Sequence, residues 1–405
     1  MLTLRNARLP TGATVDLVVD DRGVIVEAVA PGTSPPGEGD LDLEGRLALP
    51  APAEPHAHLD KALTADLVPN PAGDLMGAIE AWRARYDERT PDEIADRARR
   101  AVRLGLANGL TAVRTHVDVG EAIGLRAIEA LAAVREEVAG VVDLQIVALA
   151  ACPLAGPDGS GNRGALDAAI EAGVDVVGGC PHLDDDPAST VDLTMRLAVE
   201  AGLPIDLHVD ETLDPTARSL VDIGRWIEHH GAPPGVAASH CVSLGMQERD
   251  EQDATAALLA ATGVDVIALP QTNLFLQARE QATAPPRGLT AVGALRGAGV
   301  NVAGGADNLQ DPFNTVGRAD PLETAALLVM AAHVEPEVAY AMVSERARAA
   351  MALPAAGTEP GHCADLLVLP ATTVRDAVAT APAERRVLRR GRLVARTTVD
   401  RHVGV

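Results

Sequence analysis

Between about residues 50 and 350, short runs of β-branched and small apolar residues alternate with stretches of helical hydrophobic period. In the stretch 121–139, for example, Leu131, Val134 and Val138 recur at helical spacing. Such alternation is typical of parallel strands joined by crossover helices, and eight units close a barrel. We therefore predict an α/β fold with a (β/α)8 TIM-type barrel over residues 51–355. The eight strand candidates are Arg46–Leu49, Ala112–Val117, Leu144–Leu149, Val174–Val177, Ile205–His208, Val236–His240, Val264–Leu269 and Val300–Ala303.

The two ends of the chain have a different pattern, with short segments that alternate like antiparallel strands. Neither end is large enough to bury a core alone. We predict that residues 1–50 and 356–405 together form one small composite β-sandwich domain. The terminal strand candidates are Leu2–Arg8, Thr14–Val19, Val24–Ala28, Leu366–Leu369, Arg386–Arg389 and Leu393–Arg396.

Charge and hydropathy exclude several classes of partner. The formal net charge of −23 over 405 residues repels polyanions, and no Lys/Arg cluster offers a phosphate-binding face, so we expect no nucleic-acid partner. No apolar run approaches the ~20 residues of a membrane span, and residues 1–10 lack the layout of a signal peptide. We therefore expect no membrane partner and a cytoplasmic location.

Cysteine and aromatic usage narrow the chemistry further. The four cysteines form no C-x-x-C motif, so the sequence indicates neither a thiolate zinc site nor a disulfide framework. Two Trp, two Tyr and two Phe are the whole aromatic content, which argues against stacking of bases or sugars as the main mode of recognition.

The most specific local feature is the H-x-H pair of His56 and His58. Two histidines at this spacing on an extended segment point to the same side, and imidazole suits zinc or ferrous iron. An isolated pair is a weak signal, but His208 ends the fifth strand candidate, His240 ends the sixth and Asp307 follows the eighth. Barrel enzymes assemble their sites at these strand ends. Three neutral nitrogens and one carboxylate would leave a coordination position for water, as a catalytic site requires.

Other polar residues lie near these strand ends. Glu211 follows His208 by three positions and is a candidate general acid/base. His116 and Asp118 lie at the end of the second strand candidate. They are interpreted either as residues that support the site or line its pocket, or, for His116, as an ordinary buried histidine. Lys61 is the single lysine of the chain and lies three positions after His58. The segment after the fourth strand contains no lysine to bridge a second ion, which favours one metal.

Eight ordered blocks of the barrel resemble the cytosine deaminase-like branch of the amidohydrolase superfamily. This resemblance implies that His56, His58, His208 and Asp307 bind one divalent ion, Zn²⁺ or Fe²⁺. It also implies that Glu211 shuttles a proton to a ring nitrogen, that His240 steadies the attacking water and that Asp307 takes its proton. The blocks are Glu54–Asp60, Arg114–Val119, Asp143–Ala148, Pro181-His182, Asp206–Glu211, Ser239-His240, Asn273–Gln277 and Gly304–Phe313.

The sequence also departs from that branch. Cytosine deaminases carry a pyrimidine-reading glutamine where this chain has Ala151 and Cys152, and Asn308 and Phe313 replace an expected acid and a tryptophan. Lys61 together with Asp307 and Asn308 is similar to the N-isopropylammelide isopropyl amidohydrolases. We therefore expect a larger or differently substituted ring than cytosine. The predicted substrate-binding residues are Lys61, Ala151, Cys152, His182, Asn273, Gln277, Asn308 and Phe313.

The resemblance implies hydrolytic deamination of a heterocyclic amine, with a cytosine-, triazine- or pterin-like ring and release of ammonia. One alternative is hydrolysis of a cyclic or linear amide C–N bond or removal of an N-alkylamine, since the same site attacks a carbonyl as readily. An alternative of another class is a catalytically silent barrel that binds a small ligand or protein partner. Barrels of this kind often associate, so we expect a homo-oligomer.

Overall fold

The computed structural model describes residues 1–404. Strands fall into two sheets of eight, one built from the termini and one from the middle of the chain. In chain order the strands are β1 Leu2–Arg8, β2 Thr14–Val19, β3 Ile25–Val29, β4 Leu41–Asp42, β5 Leu47–Pro50, β6 Ala53–Ala57, β7 Ala112–Val119, β8 Asp143–Ala150, β9 Val176–Gly179, β10 Ile205–Val209, β11 Val236–His240, β12 Asp265–Ala268, β13 Val302–Gly304, β14 Leu366–Leu369, β15 Arg385–Arg389 and β16 Arg392–Thr397.

Helices follow most barrel strands and cover the outside of the sheet. They are α1 Leu75–Arg83, α2 Pro91–Asn108, α3 Arg126–Val138, α4 Ser160–Glu171, α5 Pro187–Ala201, α6 Ser219–His230, α7 Arg249–Thr262, α8 Pro270–Leu276, α9 Val292–Gly297, α10 Pro321–Ala332, α11 Pro336–Met342, α12 Glu345–Ala350 and α13 Val374–Thr380. Among the described residues, none of these helices is long and apolar enough to cross a membrane.

Strands β6 to β13 confirm the predicted (β/α)8 barrel. Each strand pairs in parallel with the next one in sequence. The two ends of this sheet meet where the backbone N–H of Asp307 donates to the carbonyl of His56 at 3.1 Å. A parallel bridge between Ala57 and Asp307 lies at the same place. Closure of the barrel therefore brings the H-x-H segment and the eighth strand end together.

The first barrel strand is not where the sequence pattern placed it. Arg46–Leu49 is the predicted strand, but β5 belongs to the terminal sheet and pairs antiparallel with β14. The first barrel strand is β6, which begins at Ala53 and whose pairing with β7 shifts register around Pro55, a residue with no N–H for the ladder. Side chains of β5 point alternately to the two faces of the terminal sheet. Leu47 and Leu49 pack with residues of the barrel, and Ala48 packs with residues of the terminal strands.

The small β domain from both termini is confirmed. Its strands run in the order β16-β15-β14-β5-β1-β2-β3, with β4 beside β1. Leu4, Leu17 and Ile25 from the N-terminus pack with Leu366 and Leu388 from the C-terminus in one buried cluster. The boundaries at residues 50 and 356 stay a prediction, because the opposite face of this sheet packs against barrel helices without a gap in the core.

Local capping explains where the first two helices begin and end. The Asp74 carboxylate accepts a hydrogen bond from the Gly77 N–H at 2.7 Å and starts α1. Thr90 caps α2 in the same way, with Pro91 at the first helical position. Gly109 ends α2 at φ 115°, a conformation in which a side chain would be strained. Both helices lie between β6 and β7, the strands that begin the site.

Candidate active site

Four buried side chains converge at the C-terminal end of the barrel. The Nε2 atom of His208 lies 3.1 Å from Nε2 of His56 and 3.2 Å from Nε2 of His58. The Asp307 Oδ1 atom lies 3.3 Å from Nε2 of His58 and 3.6 Å from Nε2 of His56. The residues come from β6, β10 and the segment after β13, so three distant parts of the sequence supply one cluster.

Backbone conformation at the strand ends aims these side chains inward. His56 and His58 lie two positions apart at the end of β6 and therefore face the same side. Asp307 and His240 have positive φ values of 66° and 69°. Such strain in non-glycine residues costs roughly 1–3 kcal/mol each and gathers at functional sites, where the surrounding structure enforces it.

The chemistry of this cluster fits a divalent cation. Burial is the largest cause that lowers the pKa of His56, His58 and His208 well below the usual value, so the imidazoles are neutral and offer lone pairs. Neither carboxylate oxygen of Asp307 has a hydrogen-bond donor among the described residues, although both are buried. A cation would compensate the buried negative charge of the carboxylate and would accept the nitrogen lone pairs that face one another.

His116 lies directly beside the cluster. Its ring centroid is 3.9 Å from that of His56, and it is fully buried. In the described part of the chain neither of its ring nitrogens has a hydrogen-bond partner. Two overlapping groups have the spacing of metal ligands, His56 with His58 and Asp307, and His56 with His116 and His208. Because His56 is common to both groups, they are adjoining parts of one site.

A buried hydrogen-bond chain holds His56 from behind. The Ser239 hydroxyl donates to Asp206 Oδ1 at 2.8 Å, so its oxygen accepts from Nδ1 of His56, also at 2.8 Å. This fixes the tautomer of His56 that leaves its Nε2 lone pair facing the cluster. Arg114 donates to Asp206 Oδ2 at 2.9 Å. Burial opposes ionisation of Asp206, but the imidazole of His116 and the guanidinium of Arg114 outweigh it and lower its pKa to about 2.

A second buried carboxyl group joins the strand of the H-x-H pair to the segment of Asp307. Glu54 accepts hydrogen bonds from the backbone N–H of Ala306 at 2.9 Å and from that of His56 at 3.2 Å. Burial raises the pKa of Glu54 to about 8 despite these bonds. Glu54 therefore fixes the spacing between the H-x-H segment and Asp307.

The predicted acid/base pair is also assembled. Glu211 Oε1 lies 3.4 Å from Nδ1 of His240, and Asn273 Nδ2 bridges the two at 3.5 Å and 3.2 Å. His240 Nε2 lies 3.8 Å from Asp307 Oδ2 and has no hydrogen-bond partner among residues 1–404. Burial, and then the charge of Asp307, raise the pKa of Glu211 well above its usual value. Burial lowers the pKa of His240 to about 3. Burial thus favours the neutral forms of both groups, which lie side by side.

A pocket opens above this cluster, with about 720 Å³ of empty space including its mouth. This is the size range of small-molecule sites. We call His58, His208, Glu211, His240 and Asp307 the floor of the pocket. Six of the eight predicted substrate-binding residues also line it, namely Lys61, Ala151, Cys152, His182, Asn308 and Phe313.

Asn273 and Gln277 lie behind the floor rather than in the pocket wall. Asn273 belongs to α8, and the side-chain amide of Gln277 donates to the carbonyl of Glu211 at 3.4 Å. Both residues therefore position Glu211. Cys152 stays a neutral thiol, because burial raises its pKa to about 12.

Sequence reasoning missed one wall of the pocket. Leu75, Ile79, Trp82 and Tyr86 reach it from α1 and the turn after it. With Phe313, three of the six aromatic side chains of the chain line this one cavity. Their helical spacing was the only sequence signal, and it is also the signal of an ordinary buried helix face.

Comparison with known proteins relates this geometry to enzymes. A model described as the amidohydrolase family matches residues 85–400. Pterin deaminase of Rhizobium rhizogenes is 31% identical over 390 residues, covering 95% of this chain and 89% of that protein. The crystal structure of 5-methylcytosine deaminase from Klebsiella pneumoniae liganded with 5-fluorocytosine has a TM-score of 0.89 and 31% identity, covering 100% of this chain and 99% of the other. N-isopropylammelide isopropylaminohydrolase from Burkholderia multivorans has a TM-score of 0.85 and 31% identity over 98% of each chain.

Proposed function

We propose that this chain, which belongs to the amidohydrolase family and is a hydrolase of non-peptide C–N bonds, deaminates a small N-heterocycle with one divalent metal ion. The observation that carries the proposal is the convergence of three neutral imidazole nitrogens on an unsatisfied buried carboxylate. We assign the ion to His56, His58, His208 and Asp307. Such an ion supplies a Lewis acid and lowers the pKa of a water molecule toward neutrality.

The floor residues divide the proton transfers among them. Asp307 has a carboxylate oxygen free to take a proton from the attacking water. His240 presents its unpaired Nε2 toward the same place and orients that water. Glu211, whose raised pKa favours the protonated form, donates to the ring nitrogen next to the reacting carbon. Water adds to that carbon as Asp307 takes one of its protons. Asp307 then passes this proton to the amino nitrogen, the C–N bond breaks and ammonia leaves, while the proton of the new hydroxyl group returns to Glu211 and a ring carbonyl remains.

The pocket supports a ring larger or more substituted than cytosine. Ala150 and Ala151 leave open space where a longer side chain would narrow the pocket, and Cys152 offers no amide to read a pyrimidine edge. The relatives named above include deaminases of a pterin and of 5-methylcytosine. We therefore propose a substituted pyrimidine or a pterin-like ring as the substrate class.

Removal of an N-alkylamine is the second candidate function. It is favoured by the 31% identity to N-isopropylammelide isopropylaminohydrolase and by Lys61 beside Asn308 in the pocket wall. The released amine separates the two, because deamination gives ammonia and the alternative gives isopropylamine. A silent binding barrel is disfavoured, because every predicted ligand and the acid Glu211 lie within reach of one another.

The test is an amine-release assay on protein loaded with Zn²⁺ or Fe²⁺. The panel contains cytosine, 5-methylcytosine, pterin, guanine, creatinine and N-isopropylammelide. We expect ammonia from 5-methylcytosine or pterin with a higher kcat/KM than from cytosine. Release of isopropylamine alone would replace the first candidate with the second. No amine from any ring, with metal bound in stoichiometric amount, would reject both.

The setting of the enzyme is part of the same proposal. The acidic charge balance supports a small-molecule substrate and no nucleic-acid partner. We propose that the protein acts in the cytoplasm as a homo-oligomer, in line with the frequent association of such barrels. Analytical ultracentrifugation measures the oligomeric state.

A further inference from the structure

One helix and the turn after it supply a continuous part of the pocket wall. Leu75 and Ile79, from α1, are followed in the pocket wall by Trp82 and by Tyr86 from the turn Tyr86–Glu88. Spacings of four and three residues put Leu75, Ile79 and Trp82 on one face of α1, and Tyr86 follows from the turn after the helix. We call Leu75, Ile79, Trp82 and Tyr86 the roof.

The roof and the floor differ in chemistry. Every floor side chain carries an imidazole or a carboxyl group, whereas the roof offers mainly aliphatic and aromatic surface, with Arg83 of the same helix also in the pocket wall. A ring whose amino group faces the floor presents its other edges to the rest of the pocket wall, to which the roof contributes large apolar side chains. Apolar surface favours a methyl substituent or a fused second ring over a bare C–H edge.

Asp118, in β7, holds the roof to the barrel. Its Oδ2 atom accepts hydrogen bonds from Nε1 of Trp82 at 2.8 Å and from the hydroxyl of Tyr86 at 3.0 Å. Its Oδ1 atom accepts from Nζ of Lys61 at 2.9 Å. Three donors thus share one carboxylate, and the two aromatic rings meet edge to face with centroids 6.4 Å apart. Charge-assisted hydrogen bonds of this kind fix the positions of both rings.

The same carboxylate reaches the floor through Lys61. The Lys61 ammonium is buried, and its Nζ lies 3.2 Å from Asp60 Oδ2 and 3.3 Å from Nδ1 of His58. Asp118 also donates its backbone N–H to Asp60 Oδ2 at 3.1 Å. One cluster of buried charged side chains therefore contacts both the roof and the floor and fixes their relative position.

We propose that Asp118 is a positioning residue that fixes Trp82 and Tyr86 over the pocket, and that this roof selects heterocycles with an apolar substituent or a fused second ring. The selection rests on the proposed deamination, since it is measured between two ring amines. Asp118 takes no part in the proton transfers, because its oxygens already accept from three protein donors.

The kinetic test removes one donor at a time. Tyr86→Phe deletes only the hydroxyl, and Trp82→Phe deletes the indole N–H. The expected result is that the ratio of kcat/KM for 5-methylcytosine to that for cytosine falls by about tenfold, mainly through KM, because an apolar pocket distinguishes one methylene by ~10- to 200-fold. An unchanged ratio in both variants, with folded protein, would overturn the proposal.

The chain offers matched controls. Its other tryptophan is Trp226 of α6, whose indole N–H donates to Asp192 of α5 at 2.9 Å. Its other tyrosine is Tyr340, whose hydroxyl donates to the Pro50 carbonyl at 2.7 Å. Trp226→Phe and Tyr340→Phe each remove the same chemical group as the roof variants, away from the pocket. Both controls should keep the wild-type ratio, and a fall in the ratio as large as that of the roof variants would overturn a specific role for the roof.

A binding experiment separates this proposal from the proposed reaction. In the Trp226→Phe protein Trp82 is the only tryptophan, so its fluorescence reports on the roof. Thymine and uracil carry no ring amine, and thymine should quench at about fourfold lower concentration, given ~0.8 kcal/mol per buried methyl group. The additional Tyr86→Phe change should remove this difference. Preferential quenching without turnover of any amine would reject the reaction and keep the roof, whereas equal quenching by thymine and uracil would reject the roof.

Discussion

The floor and the roof of the pocket are built in different ways. The floor consists of side chains at the ends of barrel strands, and the closed ladder of parallel strands fixes their backbones. The roof comes from one segment between β6 and β7, and the carboxylate of Asp118 ties it to the barrel. The difference indicates that the floor determines whether a reaction occurs and the roof determines which ring reacts. Substitutions in the floor should affect all substrates alike, and those in the roof should affect them unequally.

The largest effect is expected from loss of a proposed metal ligand. His208→Ala removes the imidazole that contacts both His56 and His58, and the metal supplies several kcal/mol of transition-state stabilisation. We expect bound metal to fall below stoichiometry and kcat/KM to fall by about 10³-fold or more for every substrate. Elemental analysis and amine release measure the two effects. His230→Ala, on the exposed end of α6, is the control and should keep both.

Loss of the proton donor should be nearly as severe but should leave the metal in place. Glu211→Gln keeps the shape of the side chain and removes its acidic proton. General acid–base catalysis typically contributes ~10²–10⁴-fold, so we expect kcat to fall within that range for all ring amines. Metal content equal to the wild type is part of the prediction, and a decrease in metal together with kcat would assign Glu211 to binding of the ion instead.

The pH profile tests the same carboxyl group. Because the pKa of Glu211 is raised, the protonated donor form persists to higher pH than for an ordinary glutamate. Deprotonation removes the donor, so kcat/KM should fall about tenfold per pH unit once the pH passes that raised pKa. Glu211→Gln should lack this descending limb. A limb of the same midpoint in that variant would show that another group titrates.

Loss of the hydrogen bond that orients His56 should have an intermediate effect. Ser239→Ala removes the hydroxyl that accepts from Nδ1 of His56 and relays to Asp206. Such supporting hydrogen bonds typically change metal affinity or activity by ~10–100-fold, and we expect metal release to a chelator to accelerate within that range. Ser243→Ala removes another hydroxyl, bonded to the carbonyl of Ala217, and should release metal at the wild-type rate. Equal rates in the two variants would refute the relay.

The smallest effect is expected in the roof. Ile79→Ala shortens a half-buried aliphatic side chain of the pocket wall and leaves every polar contact of Asp118 intact. We expect kcat/KM for 5-methylcytosine to fall by roughly tenfold or less, kcat/KM for cytosine to change little, and metal content to stay the same. An equal fall in kcat/KM for the two substrates would contradict a role of the roof in substrate selection.

The floor could be predicted from the sequence because its chemistry follows the strand pattern. His208 and His240 end their strands and Asp307 follows the last one, so the barrel topology alone brings them to one edge. The H-x-H spacing then places two more nitrogens on the same side. Burial and charge, by contrast, required the structure, since the raised pKa of Glu211 depends on neighbours from other strands.

The roof and the supporting chain could not be predicted, for a different physical reason. The face of α1 reads as an ordinary amphipathic helix, and nothing in its residues says that a cavity lies beneath it. Ser239 and Asp206 contact each other only because β10 and β11 are neighbours in a known register. The misplaced first strand has a similar origin, since Leu47–Pro50 has strand character and only its pairing with β14 assigns it to the terminal sheet.

The most direct test of the metal assignment is to titrate metal-free protein with Zn²⁺, and separately with Fe²⁺, while following amine release from 5-methylcytosine and pterin. The account predicts that activity rises linearly and stops at one equivalent per chain, and that Asp307→Asn gives no such endpoint. Full activity in the metal-free protein, or an endpoint at two equivalents, would contradict a single ion held by His56, His58, His208 and Asp307.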